Sequence, residues 1–276
     1  MDHSTPPSQR FECVPDHARP AWRRLLLAFF CLLALAGCFQ TPAPEGSATL
    51  REAKRLEAAA SPERAQMAPA AAYDDLTRAL RLYSLVDDSA GAIRTRLSLA
   101  YLHEQHAQTD AAQREASQAL ALAREFGDPA HLYRALLMVG RLKQEPAHFS
   151  EGLLYARDGL QRAVLLTYLG RPQEAATQVR GLTEPADEQV GDLAFVLFAH
   201  ARQALDASTA ERALALYKRA DDYTGIARSL RLLAHIATQQ GDTSAAQIYA
   251  ARALRVESAL SSATSTRVPP TGNTSR

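Results

Sequence analysis

Residues 78–120 read RALRLYSLVDDSAGAIRTRLSLAYLHEQHAQTDAAQREASQAL, and residues 212–254 read RALALYKRADDYTGIARSLRLLAHIATQQGDTSAAQIYAARAL. The two stretches align without a gap at an offset of 134, and 19 of 43 positions are identical. Shared residues include Leu82-Tyr83 with Leu216-Tyr217, Asp87-Asp88 with Asp221-Asp222, Gly91 with Gly225 and Leu99-Ala100 with Leu233-Ala234. Ala111-Ala112-Gln113 likewise matches Ala245-Ala246-Gln247. The chain therefore carries an internal duplication, the signature of a repeat architecture. Within each copy apolar residues recur at spacings of three and four, which is the period of one helix face. Polar breaks at residues 108–110 and 241–243 divide each copy into two helices.

Small residues stand where paired helices must approach closely: Ala100, Ala112 and Ala119 in one copy, Ala234, Ala246 and Ala253 in the other. A methyl side chain lets two helix backbones come to the short end of the usual interaxial distance, about 8 Å. This arrangement resembles the tetratricopeptide repeat, a helix–turn–helix unit of about 34 residues. The three alanines of each copy match that family's small-residue positions, and Gly241-Asp242 matches its turn. His106-Ala107 in the earlier copy departs from the turn, and the bulky aromatic that usually opens the first helix is missing. Weaker units flank the strong ones. Gly140 lies 40 residues after Ala100, Gly170-Arg171-Pro172 looks like a turn opening a second helix, and residues 205–220 look like one more helix. Between about 141 and 186 the register is lost. The resemblance implies an all-α fold, a right-handed α-solenoid of five or six helix hairpins across residues 47–260. Residues 261–276 lack apolar periodicity and are expected to be a disordered tail.

The amino-terminal segment carries an address. Arg19, Arg23 and Arg24 precede an apolar run at residues 25–37, of the length of a signal-peptide core and too short to span a bilayer, which takes about 20 residues. The run ends in Leu35-Ala36-Gly37-Cys38, which resembles the lipobox of bacterial lipoproteins. That resemblance implies removal of residues 1–37 and lipidation of Cys38. The lipoprotein family carries three acyl chains, and two or more suffice for firm anchoring. Residues 38–46 then read as a lipidated cysteine and a Pro/Gly-rich tether. Phe39 stands where an Asp would imply inner-membrane retention in proteobacterial lipoproteins, so the outer membrane, facing the periplasm, is the expected address. The 24 residues ahead of the apolar run are long for a signal peptide, and translation is expected to start at Val14.

Composition narrows the function. The chain has 276 residues, 47% apolar and 7% aromatic, so its core is built from Ala and Leu. Its net charge is +1; beyond residue 37 there are 27 basic and 27 acidic groups, with no electrostatic footprint for nucleic acid. All three cysteines, Cys13, Cys31 and Cys38, lie at or before the start of the mature segment, which leaves no cysteine nucleophile and no internal disulfide beyond it. Neither a phosphate-binding glycine loop nor a GxSxG, HExxH or CxxC motif occurs, so no enzyme activity and no cofactor are expected. His103-Glu104-Gln105-His106 is the nearest approach to a metal motif, but two histidines without a third ligand read more simply as a polar helix end. Asp87-Asp88 and Asp221-Asp222 recur between copies, which points to helix capping and turns in place of paired-carboxylate catalysis.

The repeat family binds partners on the inner surface formed by the first helix of each pair. Carried over, its contact positions are Arg94, Leu97, Tyr101, Glu104 and Gln105 in the first strong copy. The second copy gives Arg228, Arg231, His235, Thr238 and Gln239, and the middle unit Arg134, Leu137, Arg141, Gln144 and Glu145. Arg94, Arg134 and Arg228 form a row that could fork onto carboxylates of an extended peptide. The expected function is that of a membrane-tethered adaptor for other envelope proteins or peptides. A structural, self-associating envelope protein and, behind it, a metal-binding or enzymatic domain within residues 141–186 are the alternatives.

Overall fold

The computed structural model describes residues 46–265; the signal segment, Cys38 and most of the expected tail lie outside the described residues. The chain divides into two units, residues 1–51 and 52–276. Of the first, residues 46–51 are described: Ser47 opens helix α1 (Ala48–Ala59), its hydroxyl accepting the Leu50 N–H.

The second unit contains the rest of α1 and, among the described residues, only helices and turns. After a short α2 (Pro62–Met67) come α3 (Pro69–Leu85), α4 (Ser89–Gln105), α5 (Thr109–Phe126) and α6 (Pro129–Lys143). The pattern continues through α7 (Pro146–Gly152), α8 (Gly159–Tyr168), α9 (Pro172–Gln178), a 3₁₀ turn at Asp187–Gln189 and α10 (Val190–Ala204). It closes with α11 (Ala207–Arg219), α12 (Tyr223–Gln239) and α13 (Thr243–Ser265). Consecutive helices pack as neighbours, α4 with α5, α6 with α7, α8 with α9, α10 with α11 and α12 with α13. The segment whose register the sequence does not reveal is thus built of helices too short to show a period. The last helix also runs past residue 260: Ser261 Oγ bonds back to the Glu257 carbonyl, and the helix continues to Ser265.

Local chemistry explains the boundaries. Asp88, Asp128, Asp158, Asp206 and Asp222 are N-caps whose carboxylates accept the otherwise unpaired N–H groups of the first turn. Pro69, Pro129, Pro146 and Pro172 sit in first turns, where a missing N–H costs nothing. Most turns between neighbours use one residue in the left-handed region. Gly127, Gly170 and Gly241 serve in three, Asp87, Ala107, Gln144, Leu205 and Asp221 in others. Ala107, at the position of Gly241, makes the same turn with φ +56° against +79°.

The duplication is also a duplication of packing. The Tyr83 ring is buried against α4 at Gly91, where a side-chain carbon would fall 2.5 Å from Tyr83 Cε1. Tyr217 stands at Gly225 in the same way, at 2.5 Å. In each copy the nearby aspartate caps the helix onto that glycine, Asp88 Oδ1 accepting the Gly91 N–H and Asp222 Oδ1 the Gly225 N–H, both at 2.8 Å. Ala100, Ala116, Ala119 and Ala123 are fully buried where α4, α5 and α6 meet, against Leu132, Leu136 and Val139.

Candidate partner-binding groove

First helices of neighbouring pairs also touch each other, α4 with α6, α8 with α10 and α10 with α12, and their exposed sides make one face. Its upper part is tied by ion pairs. Arg94 does not stand free for a ligand: Nε and Nη2 donate to Glu57 at 3.1 and 3.2 Å, and its guanidinium lies 5.8 Å from the centre of the Tyr83 ring. Tyr83 donates its hydroxyl proton to the same carboxylate at 2.5 Å, so one acid from α1 satisfies residues of both α3 and α4. Glu104 and Arg141 repeat the device between α4 and α6, at 2.5 Å. Burial, the largest single influence, would lower the Arg141 pKa; the bond to Glu104 and the nearby Tyr168, Glu104 and Tyr101 together outweigh it, and the pKa is raised.

Below these ties an aromatic row runs from the core toward the face: Phe149 is 4% exposed, and Tyr168 and Phe195 are half-buried. Phe149 on α7 stacks on Tyr168 of α8, with centroids 4.8 Å apart and planes 10° apart, and Tyr168 meets Phe195 of α10 at 4.8 Å. Asp192, one turn before Phe195, is exposed as a residue, yet its carboxyl is crowded by the surrounding protein. That enclosure raises its pKa, Arg141 opposes the rise, and Asp158 adds to it. Burial also raises the Tyr168 pKa. Further along, Phe195, Phe198 and Tyr217 with Arg202 and Arg228 line a hollow of about 440 Å³.

The residues expected from the repeat resemblance therefore divide by role. Tyr101, Gln105, Arg134, Arg228, Thr238 and Gln239 are exposed, and neither Arg134 nor Arg228 forms an ion pair with a described residue. Leu97 and Leu137 are half-buried and pack on the core. Arg231 turns to Glu257 of α13 at 2.7 Å. His235 borders a hollow at the carboxyl-terminal end with Ala234 and Ala246. Gln144 and Glu145 fall beyond α6: its helix ends at Lys143, Gln144 takes the left-handed turn and Glu145 precedes α7. Tyr168, Asp192 and Phe195 are absent from the sequence-derived set. Among the described residues no cluster of three His, Cys, Asp or Glu side chains could hold a metal, and His103 Nδ1 is engaged by Gln108 Oε1 at 2.5 Å. None of the described helices is long and apolar enough to cross a membrane.

No family model matches the chain, and no curated protein does. Among solved structures it is similar to BtubC (BKLC) from P. vanneervenii, at 15% identity over 84% of this chain and 97% of that one, with a TM-score of 0.35. A superposition that loose carries over neither fold nor function.

Proposed function

We propose that this chain is a lipid-anchored protein of the bacterial cell envelope, held by Cys38, and that it acts as an adaptor without catalytic chemistry of its own. Its helix pairs form a tetratricopeptide-like, right-handed solenoid whose first helices present a concave groove to a segment of a partner protein. The observation that carries this reading is the face those helices share. Tyr101, Arg134, Asp192 and Arg228 are exposed along it, and Tyr168 and Phe195 meet in its middle. The exposed ring of Tyr101, the half-buried Tyr168 and Phe195 and the scattered charges suit an extended peptide, because aromatic area gives affinity and the arginines fork onto carboxylates. Phe39, in place of an aspartate, favours the outer membrane facing the periplasm.

Crosslinking in intact cells, with mass-spectrometric identification of adducts, tests the groove. Joint replacement of Tyr101, Arg134 and Arg228 by alanine is expected to remove the captured partner while leaving the helical circular-dichroism signal unchanged. An unchanged adduct list overturns the groove assignment. Cys38→Ser tests the anchor separately: the protein should leave the membrane fraction, and retention there overturns lipidation at this residue.

A further inference from the structure

The duplication supplies an internal control for the last helix. In the first copy, α6 covers the outer side of α5, and Ala112, Ala116, Ala119, Leu120 and Ala123 are all buried. Their counterparts on α13 are Ala246, Ala250, Ala253, Leu254 and Glu257. No described helix follows α13: Ala253 is still buried within its own pair and Ala246 is half-buried, but Ala250 is exposed and Leu254 is 62% exposed, where Leu120 is 5%. Between α12 and α13 lies a hollow of about 380 Å³ lined by Ala234, His235, Thr238, Ala246 and Ala250, at the place where the first copy seats α6. The same sequence pattern that buries a helix in one copy thus leaves a helix-shaped seat in the other.

We infer that this seat is filled by a second copy of the chain, in a two-fold pairing of α13 with its equivalent. Two other occupants fit less well. Residues 266–276 offer a single aliphatic residue, Val268, next to Pro269-Pro270, and cannot supply an apolar helical stripe. A head-to-tail stack would bring the outer side of α1 onto the seat, but that side presents Lys54 and Arg55 to solvent. The α13 face itself is self-complementary. In an antiparallel pair with the axis at Ala250, Leu254 of one copy lies opposite Ala246 of the other. Each such contact sits about 6 Å from the axis, at about 1.5 Å of rise per residue. A large side chain then faces a small one on both sides, the condition for close interlocking in an isologous interface. The pairing uses the solenoid's end and leaves the groove open, so it does not depend on what the groove binds.

The chain beyond Cys38 has no cysteine, which makes a single introduced thiol a clean reporter. Full-length protein carrying Ala250→Cys, oxidised with copper phenanthroline in intact cells, should give a reducible band of twice the chain mass. The unsubstituted chain and Gln118→Cys, exposed on α5, set the background. Adding Leu254→Glu should cut the yield at least about tenfold, about 1.4 kcal/mol, and the helical signal tells folding from pairing. Leu254→Gln serves if the charge disturbs the helix. A yield at background, no response to either Leu254 substitution, or an adduct of another mass in place of the doubled one overturns the second-copy assignment.

Discussion

Tyr83 fills the space that a side chain at Gly91 would need, and the pair at Tyr217 and Gly225 repeats it one duplication later. Ring and glycine fix the spacing of α3 against α4 and of α11 against α12, so both must be kept together. Gly91→Ala and Gly225→Ala should each lower stability by about 1–3 kcal/mol, the usual cost of overpacking a filled core. Thermal or urea unfolding followed by circular dichroism measures it, and Gly191→Ala, with open space around the added methyl, is the control expected to change little.

Ala107 and Gly241 give the opposite case. Both hold the left-handed turn between the helices of a pair, and only the glycine does so without strain. Ala107→Gly should stabilise the protein by roughly 1 kcal/mol, and Gly241→Ala should destabilise it by a similar amount. Paired urea midpoints of the two variants, moving in opposite directions, check this.

Thr95 and Ser229 occupy equivalent, fully buried positions but differ in partners. Thr95 Oγ1 donates to the Gly91 carbonyl at 2.9 Å, whereas Ser229 Oγ has no partner among the described residues. Ser229→Ala should therefore be neutral or stabilising, while Thr95→Val should cost about 1 kcal/mol for the lost bond. Chemical denaturation of each variant reports the difference.

Burial raises the pKa values of Tyr83, Tyr133 and Tyr217 far above the ordinary value of 10.0. Below pH 10 the folded and unfolded chains hold these protons alike, and no stability is lost. Above it the unfolded chain releases them and the folded chain does not, so stability falls with rising pH. The slope approaches about 1.4 kcal/mol per pH unit for each tyrosine. Urea midpoints between pH 9 and 11 should drop, and Tyr217→Phe should make the drop shallower; a flat profile contradicts the burial.

What the sequence reveals and what it hides follow from the length over which each pattern repeats. Residues 78–120 and 212–254 show their helices because each spans several turns and because the copies confirm one another. Helices α7 and α8 escape notice because 7 to 10 residues complete at most three turns, whereas the start of α9 shows only through the turn at Gly170-Arg171-Pro172. The groove is harder still. Arg94 and Arg141 read as free cations because their partners, Glu57 and Glu104, each lie 37 residues earlier. That separation is about one repeat, so an acid placed one unit before an arginine is the signal that could have revealed both ties. Tyr168, Asp192 and Phe195 have no such regularity, since they come from the irregular middle of the chain.

The two kinds of fastening between first helices have a mechanical consequence. Toward the amino-terminal side the strips are laced by Arg94–Glu57 and Arg141–Glu104; farther on, among the described residues, Tyr168 and Phe195 bridge α8 and α10 and no ion pair joins successive first helices. Dissolved electrolyte weakens half-exposed charges but not the contact of two rings. Rising ionic strength is therefore expected to loosen the ties among α1, α4 and α6 while the contact of α8 with α10 keeps its strength.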